Sequence, residues 1–123
     1  MKVARGTIVW VQLDPTRGHE QRGVRACVVV SSAEVASQQS YPLVCVVPIT
    51  GTPGEGALYP RLSAGRSGLR KPSYALVDQL RSVDKTRVRH VFGRIAPEEV
   101  HAIDVGLSLY LGLDESSLFT AAS

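Results

Sequence analysis

Up to residue 95 the apolar residues come in short β-branched runs closed by Pro, Gly or polar loops; after residue 96 the spacing changes to that of a helix. This change of period constrains the fold more than any other feature. Thr7 to Leu13 reads as a strand, ending where Pro15 removes a ladder donor. Ala26 to Ser32 is apolar on both faces and reads as a central strand. Ala33 to Ser40 suits a short helical turn, and Tyr41 to Thr50 a third strand interrupted by Pro48. Ala57 to Leu62, Ser73 to Val77, Leu80 to Asp84 and Val88 to Ile95 read as further strands. Ser63 to Pro72, with two Gly and three bases, reads as an exposed, mobile loop.

In the last segment Pro97 suits the first helical position, and Glu98 and Glu99 suit the positive end of the helix dipole. Val100, Ile103, Leu107 and Leu111 share one helical face, and Gly112 suits a C-cap. Val105, Leu109 and Tyr110 fall off that face, against the same body or against a second protomer. The fold class expected is mainly β (α+β): a β-barrel or half-open sheet with one C-terminal helix packed on it. One domain over residues 1–112 suits a chain of 123 residues, with residues 113–123 as a flexible tail.

The charge distribution narrows the function. The net charge is +3. Residues 1–94 hold all 14 Lys and Arg with six acids, a net of +8; residues 95–123 hold five acids and no base, a net of −5. Eleven of the 14 bases are Arg, whose planar fork of donors suits phosphate. An anionic partner for the basic body is expected. Cys27 and Cys45 lie inside apolar runs and read as buried free thiols. They and three scattered His show no metal-ligand spacing, so no metal or other cofactor is expected. No signal-like segment is visible near Met1, and the longest strongly apolar run, Leu43 to Ile49, is far short of the ~20 residues that span a bilayer. A cytoplasmic protein without membrane contact is expected.

The loop Asp14 to Arg25 carries the densest chemistry: Arg17, His19, Glu20, Gln21, Arg22 and finally Arg25, which enters a central strand. A charge at the mouth of a buried strand is costly without a partner. Arg25 either pins this loop through Glu20 or clamps a phosphate. Thr50 ends the third strand, where its hydroxyl serves as a routine turn group or projects into the same mouth.

Arg5-Gly6-Thr7-Ile8-Val9-Trp10-Val11, Leu13-Asp14-Pro15-Thr16-Arg17-Gly18-His19-Glu20-Gln21 and Gly23-Val24-Arg25, followed by Val28-Val29-Val30-Ser31, resemble the MazF/PemK family of toxins of bacterial toxin–antitoxin pairs. The resemblance continues through Val47-Pro48-Ile49-Thr50, Leu76 to Arg87 and the helix after Pro97, and covers nearly all of residues 4–112. It implies an SH3-like, CcdB/MazF-type barrel and a homodimer. It also implies a sequence-specific, metal-independent endoribonuclease that cuts single-stranded RNA, including mRNA, leaving 2′,3′-cyclic phosphate and 5′-hydroxyl ends. A cognate MazE-like antitoxin with an acidic, extended segment is the implied partner. The family's catalytic Arg falls on Arg25, its catalytic Thr on Thr50 and its loop acid on Glu20. Arg17, His19, Gln21, Arg22, Asp78, Gln79, Arg81 and Arg87 are the RNA-binding candidates. Ala26 departs from the family's usual Pro, and His19 from a frequent Ser.

A guanidinium is protonated at physiological pH, which suits Arg25 to stabilising a pentavalent phosphate and donating a proton to the leaving oxygen rather than to acting as a resting base. Glu20 is the candidate for taking the 2′-hydroxyl proton, with water as the fallback. Two alternatives share the fold: a non-catalytic gyrase poison of the CcdB type and a basic nucleic-acid-binding module. The first lacks the Arg/Thr pair and depends on a C-terminal Trp-Gly-Ile, where this sequence reads Ala121-Ala122-Ser123.

Overall fold

A computed structural model describes residues 3–113. Seven strands build one curled antiparallel sheet: β1 (Thr7–Gln12), β2 (Val24–Val29), β3 (Leu43–Thr50), β4 (Arg61–Leu62), β5 (Ser73–Ala75), β6 (Arg81–Asp84) and β7 (Val88–Arg94). The spatial order is β4-β5-β3-β2-β1-β7, and β6 also pairs with β3. The long β3 serves two neighbours along one edge: Leu43 to Val46 pair with β6, and Ile49 and Thr50 with β5. Pro48 lies where the edge passes from one to the other, and its carbonyl accepts from Leu76 N. In an antiparallel strand the N–H and C=O of a residue share an edge, so the donor that Pro48 lacks falls in this gap and no ladder bond is lost.

Strand alternation sorts the apolar residues into two cores. Val9, Val11, Cys27, Val29, Val44, Val46 and Val83 fill the inner face of the curl. Ile8, Val28, Val47, Ile49 and Ala75 face the other way, onto Ile103 of the C-terminal helix α2 (Pro97–Leu111). The central strands are thus buried on both faces, as their unbroken β-branched runs imply. Two register shifts of β1 against β7, at Ile8/Val9 and Trp10/Val11, increase the local twist and help the sheet to curl. Trp10 stacks on Phe92 across this edge, with ring centroids 5.4 Å apart.

α2 starts at Pro97 and ends at Gly112, whose φ of 70° is the left-handed cap conformation. Ala96 has no side-chain oxygen, so the N-terminal cap is one-sided: Glu99 Oε1 accepts from Ala96 N at 3.0 Å. The other oxygen of Glu99 accepts from Ser63 N and ties the helix to the loop before it. Arg5 fixes the rest, donating through Nε to Val30 O and forming an ion pair with Asp104. The short helix α1 (Ala33–Ser37) is capped by Ser32, and Lys85 Nζ donates to Val35 O and Gln38 O at its other end.

Four expectations change. The strand over Ala57 to Leu62 shrinks to Arg61–Leu62, because Tyr59 N turns back to Gly56 O. The strand from Ser73 ends at Ala75, and Val77–Gln79 forms a 3-10 turn instead. The Ser63 to Pro72 loop is anchored: Ser67 is buried, its hydroxyl donates to Ser63 O and accepts from Leu69 N, and Gly68 packs on Phe92. Leu111 leaves the packed stripe and is 51% exposed. Val100, Ile103 and Leu107 do pack as their spacing implies. Apart from Leu113, the expected tail at 113–123 lies outside the described residues.

Candidate active site

The alternation that builds the inner core also aims the chemistry. Arg25 shares the inner face of β2 with Cys27, and Thr50 shares that of β3 with Val46 and Pro48. β2 and β3 pair Val29 with Val46, Val28 with Val47 and Cys27 with Pro48. Carried two residues further, the same register sets Arg25 opposite Thr50, just beyond the last ladder pair. Directly opposed residues are the closest cross-strand neighbours a sheet provides. The two residues thus lie at one strand level at the end of β2 and β3, just past the last paired residues, Cys27 and Pro48.

Both groups keep donors free. Arg25 is exposed; its Nε donates to Arg22 O at 2.9 Å, and its terminal nitrogens bond to none of the described residues. Thr50 Oγ1 accepts from Thr52 N at 3.1 Å, which leaves its own hydrogen to donate. Neither residue pins the other or pairs with Glu20.

A cleft of about 180 Å³ is lined by Leu13, Glu20, Gln21, Pro48, Asp78, Gln79, Leu80 and Arg81; Arg25 and Thr50 are not among its lining residues. Pro48, two residues before Thr50 on the same face, joins the cleft to the Arg25/Thr50 end. Five of the site candidates, Glu20, Gln21, Asp78, Gln79 and Arg81, therefore meet in one place although up to 61 positions separate them.

The β1–β2 loop, residues 13–23, is held by side chains from the Val77–Arg87 segment. Arg81 donates to Leu13 O at 3.0 Å and Arg87 to Asp14 O at 2.7 Å. Gln79 accepts from Gln21 N at 2.8 Å and donates to His19 O at 3.2 Å. Within the loop, Glu20 Oε1 accepts from Arg17 N at 2.9 Å. Arg17, His19 and Arg22 are exposed on it.

Asp78 receives a hydrogen bond of 2.6 Å from the Tyr59 hydroxyl, which holds the phenol protonated above its ordinary pKa. The second carboxylate oxygen of Asp78 is buried and unpartnered among the described residues. Tyr59 escapes sequence reasoning because its only signal is a contact 19 residues away. Cys27 lies under the site, and burial pushes its thiol pKa up to about 12.

A larger groove, about 1070 Å³, opens at the start of α2 and is lined by Arg5, Arg66, Arg94 and Glu98 among others. It contains none of the site candidates. The basic body is therefore divided: residues 14–25 and 78–87 build one site, while Arg66 and Arg94 lie at another.

A model of the family described as PemK-like, MazF-like toxins of type II toxin–antitoxin systems matches residues 4–111. The chain belongs to the MazF/PemK toxin family. Endoribonuclease MazF9 of Mycobacterium tuberculosis is 35% identical over 115 residues, covering 89% of this chain and 96% of the relative. Among solved structures, MazF of Deinococcus radiodurans superposes with a TM-score of 0.77 at 25% identity, covering 91% of this chain and 98% of that one. A mycobacterial endoribonuclease solved in complex with its cognate antitoxin gives a TM-score of 0.74 at 18% identity over 91% of this chain and 97% of that one, a likeness of fold. The curled sheet with its C-terminal helix is thus the MazF architecture.

Proposed function

We propose that this MazF-family toxin is an endoribonuclease that cleaves single-stranded RNA, including mRNA, by attack of the 2′-hydroxyl on the adjacent phosphorus. What supports this reading is the β2–β3 register, which, extended two residues past Cys27 and Pro48, brings Arg25 and Thr50 to one strand level, both with unspent donors, while Glu20 lines a cleft that also includes Pro48. Glu20 takes the proton from the 2′-hydroxyl, and the 2′-oxygen bonds to phosphorus. Arg25 and Thr50 bind the non-bridging oxygens as negative charge builds in the pentavalent state. Arg25 then passes a proton to the departing 5′-oxygen. The products are a 2′,3′-cyclic phosphate and a 5′-hydroxyl. The nucleophile belongs to the substrate, so no metal-activated water is required.

The exposed side chains of Arg17, His19 and Arg22 support contacts to splayed bases and phosphates. Family membership supports a cognate MazE-like antitoxin as the natural inhibitor, and the basic body suits an acidic segment of it. Val105, Leu109 and Tyr110 are 48–63% exposed along α2, which supports a homodimer through this face. The cytoplasm, where mRNA is found, is the proposed compartment.

The test is cleavage of a mixed RNA pool in excess EDTA with end-group analysis. Cyclic phosphate and 5′-hydroxyl ends are expected, and a 2′-deoxy substitution at the mapped site should stop cleavage there. Activity abolished by EDTA, or cutting that survives the 2′-deoxy substitution, would refute the mechanism.

A further inference from the structure

Glu20 sits on an exposed loop, yet its role demands a fixed position. Its own contacts are local: its carboxylate accepts from Arg17 N, and its N–H donates to Arg17 O at 3.1 Å. These shape a turn without fixing where the turn lies relative to Arg25 and Thr50. The long-range hold at this end of the loop comes from Gln79. Its carboxamide oxygen accepts from Gln21 N, and its nitrogen donates to His19 O, so the two peptide groups flanking Glu20 are gripped by one side chain. The partners are a backbone N–H and a backbone C=O, which dictates the orientation of the amide.

The grip starts from a rigid base. Gln79 closes a 3-10 turn whose first residue, Val77, is fully buried against the helix-facing core. That turn is bonded to β3 through Leu76 N to Pro48 O and to the preceding loop through Val77 N to Leu58 O. Pro48 is two residues from Thr50. A short path of hydrogen bonds thus runs from the strand bearing Thr50, through Gln79, to the backbone around Glu20.

We propose that Gln79 is a positioning residue that sets the Glu20 carboxylate at the cleft, with its amide committed to the loop rather than to reading RNA bases. This rests on the role given to Glu20 above. A misplacement of about 1 Å at a reacting group costs up to roughly 100-fold in rate.

The test uses the full chain, an RNA oligonucleotide bearing a mapped cleavage site, and amide hydrogen exchange by NMR. Gln79→Ala should remove protection of the Gln21 amide while the β1–β2 ladder amides keep theirs. It should lower kcat about 10- to 100-fold with KM within about twofold and an unchanged cleavage-site preference. Added to Glu20→Gln, it should cost less than about twofold more, because the group it positions is already disabled. Gln79→Glu keeps the acceptor, loses the donor and hardly changes volume, so the Gln21 amide should stay protected while the hold on His19 O is lost and kcat falls at unchanged KM. A protected Gln21 amide in Gln79→Ala, a raised KM at full kcat, or an altered site preference would overturn the proposal. Low activity in Glu20→Gln with full activity in Gln79→Ala would overturn the positioning role alone. Full activity in Glu20→Gln would remove both the base and its positioner.

Discussion

At the scale of single residues, the site divides into groups that face the solvent and groups that hold them in place. Arg25 belongs to the first kind. It is exposed and makes one hydrogen bond to its own loop, so its removal should leave folding intact. Loss of a donor aimed at transition-state charge costs about 100- to 1,000-fold in kcat. Arg25→Ala should fall in that range, and Thr50→Val should lose about 100-fold, each at unchanged thermal midpoint, measured on the mapped oligonucleotide. Cys27 belongs to the second kind. It is fully buried, and burial raises its thiol pKa to about 12 from an ordinary value near 9. Between those values the unfolded chain has lost the thiol proton and the folded chain has kept it. The stability this group contributes is therefore complete below pH 9 and declines as pH rises toward 12. A thiol-alkylating reagent at pH 8 should spare Cys27 in the native protein and modify it once denaturant is added. Modification of native Cys27 at the rate of a free thiol would contradict its burial.

At the scale of elements, α2 seats closely at Gly106. A Cβ there would lie 2.6 Å from Ala57 O and 3.2 Å from a Val77 methyl. Gly106→Ala should thus destabilise the fold by about 2 kcal/mol despite its better helix propensity, and because Val77 begins the turn that carries Asp78 and Gln79, activity should fall with it. Denaturant unfolding with parallel kinetics checks both. The elements themselves were largely legible. β1, β2 and β3 follow from β-branched runs, and α2 from Pro97, the first-turn acids and the spacing of Val100, Ile103 and Leu107. Illegible features depend on contacts distant in sequence. The turn at Ala57 to Tyr59 closes locally, from Tyr59 N to Gly56 O, but the bond that holds Tyr59 there reaches Asp78, 19 residues away. Local pattern does not show that Gln79, Arg81 and Arg87 spend donors on the loop of residues 13–23. Arg25 and Thr50 could be chosen by resemblance to a family, but their common level at the ends of β2 and β3 follows from strand register, which no run of residues displays.

At the scale of the whole molecule, the division of charge becomes a division of labour. Part of the basic excess of residues 1–94 gathers in two places, the cleft with its loop and the groove at the start of α2, while part of the −5 segment is neutralised internally where Asp104 pairs with Arg5. Binding of single-stranded nucleic acid releases counterions, so log K falls against log[salt] with a slope of about −0.7 per phosphate neutralised. Two cleavage-defective variants let this be measured on intact RNA. Thr50→Val removes a neutral hydroxyl and should keep the full slope. Arg25→Ala removes a charge facing the scissile phosphate and should give a slope shallower by about 0.7. Arg66→Gln in a Thr50→Val background separates the two basic places: if RNA occupies only the cleft and its loop, the slope stays at that of Thr50→Val, and if the strand continues across the groove at α2, it falls by a similar step. Equal slopes for Arg25→Ala and Thr50→Val would mean that Arg25 meets no phosphate in the bound state, and would move the anion, and the chemistry with it, away from the strand ends where β2 and β3 part.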